Sequence, residues 1–275
     1  MSKQNLGNVL NKTVLRAQAA IFEQGELAQL TYGAFDIAAK KLNEFDTAEV
    51  EIPVPIGYKL DRTPMLHTKK YGKEELLNKY QYLAINRLTI NALIQLVTLV
   101  ETMLGDVVRT VIARYPQKLG GKRSLPVQAV LEATSIEEVH LRATDALLNE
   151  LSYKSPTDFA EAIQPLISVN LMECPAFHKY VEVKATRDIF VHNGGVANDV
   201  YIRKAGSHAR AKTGVSLPAD ITYFLESYEN CLQITEWLEE ELHKYWHSSD
   251  YESSKQSKAE AFPKPMMSTE EIEKP

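Results

Sequence analysis

The sequence predicts an all-α protein, and three observations support this fold class. The longest apolar run, from about Lys73 to Tyr115, leaves little polar surface, which is typical of a helix buried on most sides. Apolar residues also recur at helical spacing in the segments near both ends of the chain. With 275 residues, 44% of them hydrophobic, the chain can bury a substantial core as one large domain or two smaller ones.

The first 60 residues predict two helices followed by an extended segment. Apolar residues at helical spacing run from about Asn8 to Leu42, and Gly25 and a Thr-Tyr-Gly sequence ending at Gly33 divide them. From Ala48 to Leu60 the apolar residues alternate with others, and two prolines interrupt the run. Because proline cannot donate to a strand ladder, we expect an extended arm or an edge strand rather than a central strand.

The apolar helix predicted after Lys73 contains two acidic residues that need an explanation, Glu101 and Asp106. Glu101 has two interpretations. It is a catalytic carboxylate, or it is a buried carboxylate paired with an arginine or a tyrosine hydroxyl, which is the commoner case.

Three further helices are predicted between residues 118 and 192. A basic loop with two glycines, Lys118 to Arg123, follows the apolar helix. A capping-box-like sequence beginning at Ser135 and a Ser-Pro sequence beginning at Ser155 each start a helix, and the second ends near Ile167. Pro175 is suited to the first turn of a third helix, which we expect to end near His192.

The remaining sequence predicts a basic loop, a long helix and a tail. From Gly194 to Ser216 the chain has no acidic residue after Asp199, and it is rich in arginine, lysine and histidine. A long helix is expected from Leu217 to Trp246. Beyond His247 the composition turns to serine, lysine, glutamate and proline, so residues 248–275 are predicted to be disordered.

Composition restricts the functional classes. The formal net charge of −5 gives no global attraction to nucleic acid or to an anionic membrane, so a polyanion would have to bind local basic patches. The two cysteines have no paired spacing, which favours a reducing compartment. The N-terminus lacks an apolar segment, and no run of about 18 uncharged apolar residues occurs. These features predict a soluble cytoplasmic protein that does not bind a membrane.

The sequence predicts neither a cofactor nor a metal. Its two Gly-Gly pairs lack the frames of the known phosphate-binding loops. Cys174 and His178 lie one helical turn apart, but no third or fourth ligand accompanies them at a suitable spacing.

The stretch from Lys184 to Gly195 combines several ionisable groups with bulky apolar residues at the end of a predicted helix. Asp188 and His192 lie one turn apart on the same face, so Asp188 is positioned to hydrogen-bond the imidazole. Arg187 and His192 are about 140° apart on an ideal helix. They can converge only through long side chains, a bulge or a second copy of the helix.

A structural interpretation accounts for the same residues. His192 then interacts with the helix C-terminus, Asn193 or Gly194 caps the helix, and Arg187 pairs with an exposed acid. Residue chemistry alone favours this interpretation, because clusters of this kind are often structural.

The segment Arg187-Asp188-Ile189-Phe190-Val191-His192 resembles the R-x(4–6)-H motif of the HEPN superfamily, in which a polar residue follows the arginine. The continuation through Asn193, Tyr201 and Lys204 is similar to that of several prokaryotic HEPN families. The resemblance covers about residues 80–247. It implies a HEPN-like helical bundle at 76–247. The additional N-terminal helical and extended segment at 1–75 and the disordered tail at 248–275 lie outside the resemblance.

The resemblance also implies an activity, that of a metal-independent endoribonuclease acting as a homodimer. His192 would be the general base or acid for attack by a ribose 2′-hydroxyl, and Arg187 would stabilise the charge on the phosphate. Asp188 and Asn193 would orient these groups in a composite cleft formed by two motifs. An aspartate after the arginine, where asparagine or histidine is frequent, leaves the pH optimum and efficiency open.

Basic residues outside the motif are expected to contact the RNA backbone. Arg203 and Lys204 lead the basic loop that continues to Lys212, and Lys118, Lys122 and Arg123 form a second basic group. A toxin or an antiviral defence effector would fit this activity, with an antitoxin or a nucleotidyltransferase as a regulatory partner.

Two other functions remain open at this point. In one, the chain is a non-catalytic dimerisation module, or a module that binds nucleic acid or protein, and the motif is only a structural pair. In the other, residues 1–75 and the tail bind another protein, and the helical bundle serves as a platform.

Overall fold

The computed structural model describes residues 5–44, 49–120 and 125–261, with side chains up to residue 257. Most described residues are helical, which confirms the predicted all-α class. The α-helices are α1 Leu6–Glu44, α2 Lys73–Tyr82, α3 Thr89–Arg114, α4 Val127–Leu131, α5 Ile136–Ser152, α6 Pro156–Ile167, α7 Phe177–His192, α8 Asp199–Ala205, α9 Ile221–Trp246 and α10 Tyr251–Ala261. A π-helical segment, Leu83–Leu88, joins α2 to α3, and 3₁₀ turns lie at Pro116–Leu119, Leu171–Glu173 and Gly206–His208.

Two antiparallel strands, β1 Glu49–Tyr58 and β2 Pro64–Gly72, form a hairpin. The register pairs Glu49 with Gly72 and Tyr58 with Pro64, and it shifts between Pro55 and Gly57. The extended segment predicted at 48–60 is therefore confirmed for β1. The sequence analysis missed β2, whose side chains are exposed except at Tyr71 and so show no alternating burial.

The prediction of two N-terminal helices is wrong, because α1 is one helix that continues through both glycines. A Cβ at Gly25 would lie 2.6 Å from the Tyr228 ring, whereas Gly33 has nothing within 4 Å of the corresponding position. Gly25 therefore allows close packing against Tyr228 and does not mark a break. Gly33 is exposed and is tolerated within the helix at a cost of about 1 kcal/mol relative to alanine.

The predicted apolar helix is confirmed as a continuous helical segment, Lys73–Arg114, of 42 residues. Among the described residues it is the one helix that is long and apolar enough to cross a membrane, a test that core helices of soluble proteins also pass. Leu93, Leu96 and Val97 within it are fully buried. Asp106, one of the two acidic residues in this segment, forms an exposed ion pair with Arg109 at 3.0 Å. The cytoplasmic location stays a prediction.

The chain divides into two compact units. The first comprises the described residues of Met1–Ala17, Thr102–Cys174 and Thr235–Pro275, and the second those of Gln18–Glu101 and Pro175–Ile234. In the first unit the Trp246 indole donates to the carbonyl of Ile167 at 3.0 Å and stacks on Tyr115. The predicted boundaries at residues 75 and 247 stay a prediction.

The second unit contains two apolar clusters. One consists of Leu42, Tyr71 and Leu76, with Val50 and Ile52 of β1 packed against it. The other fills the space between α7 and the segment that follows it, and its buried members are Ala185, Ile189, Ala197, Tyr201, Ala205 and Leu217. This second cluster places the end of α7 and helix α8 side by side.

The structure corrects the predicted tail for residues 251–261, which form α10. Tyr251 is buried and stacks on His243, with ring centroids 4.1 Å apart. The Asn8 side chain donates to Ser249 at 2.8 Å and to Asp250 at 3.0 Å. These contacts attach the start of α10 within the first unit despite its polar composition. The rest of the predicted tail, 262–275, lies outside the described residues.

Candidate functional site

The helix α7 ends where the Gly-Gly pair predicts. Gly194 and Gly195 have φ values of 61° and 85°, in the left-handed region that glycine adopts without strain. The backbone N–H groups of Asn193 and Gly195 donate to the carbonyl of Ile189 at 2.9 and 3.1 Å. The Asn193 side chain donates to the carbonyl of Val196 at 2.5 Å, so it stabilises the turn after the helix.

One side of α7 presents two cations to Glu101 of α3. Lys184 donates to Oε1 of Glu101, and Arg187 donates to Oε2. The Arg187 side chain is only 17% exposed, whereas that of Glu101 is 37% exposed. Glu101 is therefore paired with an arginine, as its second interpretation expects, but its side chain is partly exposed rather than buried.

The predicted hydrogen bond between Asp188 and the His192 imidazole is wrong, because the Asp188 carboxylate contacts other residues. Its Oδ1 lies 3.1 Å from Arg187 NH1, and its Oδ2 accepts from Nζ of Lys204 at 3.2 Å. Two permanent cations therefore flank the carboxylate, and charge-assisted hydrogen bonds of this kind are stronger than a bond to a neutral imidazole. The physical reason for the error is Lys204, which α8 brings beside Asp188.

His192, the last residue of α7, is exposed. Across the described residues, the structure gives its imidazole no hydrogen bond or ion pair. Arg187 is directed into the protein on another side of the helix. The two side chains therefore do not converge within one chain, as the angle of about 140° predicts.

On the opposite side of α7, the buried carboxylate of Glu182 accepts hydrogen bonds from several donors. Its side chain is 3% exposed. The donors are Thr186 Oγ1 at 2.6 Å, the Tyr201 hydroxyl at 2.8 Å, Arg210 Nε at 3.0 Å and the Tyr223 hydroxyl at 2.9 Å. These bonds satisfy a buried charge that would otherwise cost several kcal/mol.

The sequence analysis missed Glu182. The available signal was its position between two valines in a helix whose neighbouring residues are buried. A glutamate there must find partners. The donors Tyr201 and Arg210 lie so far along the chain that sequence spacing does not link them to it.

The predicted basic loop is corrected in structure and in chemistry. Its chain contains α8 and the 3₁₀ turn Gly206–His208, and Val196 forms a bridge with Ser216. Arg210 is directed to Glu182, and Lys204 is paired with Asp188. Arg203 and Lys212 are exposed and remain available to a polyanion.

The second predicted basic group consists of Lys118, Lys122 and Arg123. Lys118 donates to the Pro165 carbonyl and to the Ser168 hydroxyl, both at 3.0 Å, and lies over the Trp246 ring. It is therefore committed to contacts within the first unit. Lys122 and Arg123 lie outside the described residues.

Burial changes the acid–base properties of groups near Arg187. Desolvation and the nearby Arg187 charge lower the pKa of Lys184 to about 8, although the nearby Asp188 carboxylate acts in the opposite direction. Burial raises the pKa of Tyr180 well above its usual value, and the charges of Arg187 and Asp188 also act on this hydroxyl. Within the described residues, the Tyr180 hydroxyl and Arg187 Nε are buried without a hydrogen-bond partner.

The described residues contain no group of three or more His, Cys, Asp or Glu side chains that could hold a metal ion. Cys174 and Cys231 are buried, and neither forms a disulfide within the described residues. Burial raises the pKa of the Cys231 thiol to about 12, so it is not a reactive thiolate near neutral pH.

The candidate site is thus a charged cluster at the end of α7 with an exposed histidine beyond it. Three cations, Lys184, Arg187 and Lys204, surround two carboxylates, Glu101 and Asp188. Comparison with family models, with curated proteins and with solved structures finds no match to this chain. Its function is therefore argued from this geometry.

Proposed function

We propose that the chain is a HEPN-type endoribonuclease that acts as a homodimer without a metal. The observation that carries this proposal is the exposed imidazole of His192, which has no hydrogen-bond or ion-pair partner among the described residues, at the end of the helix that holds Arg187. Structural histidines are usually hydrogen-bonded, whereas a general base must be accessible to its substrate. The excess of cations in the adjacent cluster favours an anionic substrate.

The chemistry needs only these side chains and the ribose. His192 accepts the proton of a 2′-hydroxyl while that oxygen attacks the adjacent phosphorus. The bond from phosphorus to the 5′-oxygen breaks, and an imidazolium returns a proton to the leaving oxygen. The products are a 2′,3′-cyclic phosphate and a 5′-hydroxyl end. Arg187 stabilises the negative charge on the phosphate oxygens during the attack.

A dimer accounts for the separation of Arg187 and His192. The two side chains lie on different sides of α7, so one copy cannot place both against one phosphate. A second α7 related by two-fold symmetry would bring the arginine of one copy toward the histidine of the other. Arg203, exposed on α8, would then contact the RNA backbone.

The test is an RNA cleavage assay with EDTA present throughout. We expect wild-type protein to cleave total RNA, and His192→Ala to lose at least about a hundredfold in rate, as removal of a general base typically does. His208→Ala is the matched control, since His208 is also exposed and lies in the same unit. Retained cleavage in a folded His192→Ala protein would exclude the proposal.

Arg187→Lys provides a second arm. It keeps the positive charge but loses the planar pair of donors, so we expect folding to survive while cleavage falls. Sedimentation of the wild-type protein should show a dimer. A monomer that cleaves RNA at full rate would exclude the composite site.

A second function has an observation of its own. Arg187 is engaged by both Glu101 and Asp188, as expected for an arginine with a purely structural role. The chain would then be a non-catalytic dimerisation or binding module. It would bind RNA or a protein without cleaving either, and His192→Ala would leave binding unchanged.

The biological setting belongs to the same proposal. A ribonuclease of this kind would act in the cytoplasm as a toxin or a defence effector, with its cysteine thiols kept reduced. An antitoxin or a nucleotidyltransferase would control it. Expression of wild-type protein should arrest growth. Expression of the His192→Ala variant at the same level should not, which separates toxicity from the burden of expression.

A further inference from the structure

We infer that Lys184 and Arg187 form a binding site for one phosphate group of an RNA backbone, and that Glu101 occupies this site as an intramolecular competitor. The identification of RNA rests on the proposed function. The site itself is tested by binding alone, without any measurement of cleavage.

The contacts of Glu101 are those that a phosphate would make. Each of its carboxylate oxygens accepts from one cation, Oε1 from Lys184 and Oε2 from Arg187. Arginine and lysine are the residues that proteins use to bind phosphate oxygens. A carboxylate between them therefore occupies a position suited to another anion.

Glu101 is also accessible to a competing anion. Its side chain is 37% exposed, whereas Glu182, the structural carboxylate on the other side of α7, is 3% exposed. The two cations are less accessible, at 12% for Lys184 and 17% for Arg187, so the Glu101 carboxylate has to withdraw before a phosphate binds them. Glu182 could not be exchanged in this way, because several buried donors depend on it.

Two buried donors remain unsatisfied while Glu101 holds the site. Arg187 Nε and the Tyr180 hydroxyl have no hydrogen-bond partner within the described residues. Tyr180, Lys184 and Arg187 fall within about 60° on one side of the helix. A phosphodiester offers more acceptor oxygens than the carboxylate, so it can satisfy a donor that Glu101 leaves unpaired.

The surrounding charges favour this exchange. Asp188 is held by Lys204, so it does not cancel the whole charge of Arg187. Lys184 faces Glu101 of α3, Arg187 and Asp188 of its own helix, and Lys204 of α8. When Glu101 withdraws, this group carries two more cations than anions.

The experiment measures the affinity for a short RNA whose 2′-hydroxyls are replaced by fluorine, which removes the nucleophile. Binding is followed by fluorescence anisotropy at pH 6.5, where Lys184 is charged. Glu101→Gln removes the competitor, and we expect it to bind at least about fivefold more tightly, with a steeper loss of affinity as salt increases. Lys184→Gln in the same background should abolish the gain.

Asp106→Asn is the matched control. Asp106 lies on the same helix, its removal changes the net charge by the same amount, and its ion pair with Arg109 is exposed. We expect it to change affinity by less than about twofold. Equal affinities for the folded Glu101→Gln and Asp106→Asn proteins would overturn the inference.

If the Glu101→Gln protein fails to fold, a second measurement tests the inference in wild-type protein. In wild-type protein, the side-chain N–H signal of Arg187 Nε, assigned with Arg187→Lys, should shift when the fluorinated RNA is added. An unchanged signal at saturating RNA would also overturn the inference. Tighter binding by Glu101→Gln without cleavage by any variant would keep this site and exclude the ribonuclease. Cleavage by wild-type protein, together with no effect of Glu101→Gln on RNA affinity, would exclude this site and keep the ribonuclease.

Discussion

Arg210 donates from Nε to Oε1 of Glu182 at 3.0 Å and thereby joins the segment after α8 to the buried side of α7. The guanidinium carbon lies 3.4 Å from the centroid of the Tyr223 ring, and NH1 donates to the carbonyl of Pro218 at 2.7 Å. The arginine therefore contacts α7, α9 and the chain that connects α8 to α9. This pair fixes the segment that carries Arg203 and Lys204.

Replacement of Glu182 by glutamine should be strongly destabilising. The variant keeps the side-chain shape but leaves the partly buried Arg210 without a counter-charge, and breaking an ion pair whose carboxylate is buried costs about 3 kcal/mol. Urea unfolding followed by circular dichroism measures the change in the free energy of unfolding. Tyr201→Phe, which removes one neutral donor to the same oxygen, should cost about 1 kcal/mol. Equal losses in the two variants would show that the carboxylate charge has no special role.

The sequence was sufficient to predict elements whose signal is local. The apolar residues between Lys73 and Tyr115 predict a buried helix, and Gly194 and Gly195 predict the end of α7, because hydrophobic periodicity and positive φ are properties of a few neighbouring residues. The site depended on contacts between distant residues. Asp188 was assigned to His192 because both lie on one helix, whereas Lys204 reaches Asp188 from another helix.

Gly25 shows a second limit of sequence reasoning. Glycine indicates either a break in a helix or close packing, and the two differ only in what lies opposite. The Tyr228 ring, which decides the matter, is about two hundred residues away in the sequence. The same limit concealed Glu182, whose four donors come from α7 itself, α8, the segment after α8 and α9.

The two glycines of α1 should respond in opposite directions to alanine. Gly33→Ala should stabilise the protein by about 0.5 to 1 kcal/mol, because the site is helical and nothing lies within 4 Å of the new methyl group. Gly25→Ala should destabilise it by about 1 to 3 kcal/mol, because the methyl group would overlap the Tyr228 ring.

Thermal unfolding of the two variants beside wild type measures both effects. Gly25→Ala combined with Tyr228→Ala makes room for the methyl group, so the loss due to Gly25→Ala should be smaller in that background. Stabilisation by both single substitutions would mean that the contact between Gly25 and Tyr228 does not restrict the site.

The pKa of Lys184 makes the stability of the protein depend on alkaline pH. With a native pKa of about 8 and an ordinary value of 10.5, the unfolded chain holds the proton between these limits while the folded protein has released it. The free energy of unfolding should therefore rise with pH above 8, by up to about 1.4 kcal/mol per pH unit. Urea unfolding between pH 7.5 and 9.5 tests this against Lys184→Met, which should lack the rise.

Glu101→Gln should lower the pKa of Lys184 further and move the rise to lower pH, because the carboxylate that favours the charged amine is gone. Parallel pH dependences in wild type and Lys184→Met would contradict the lowered pKa.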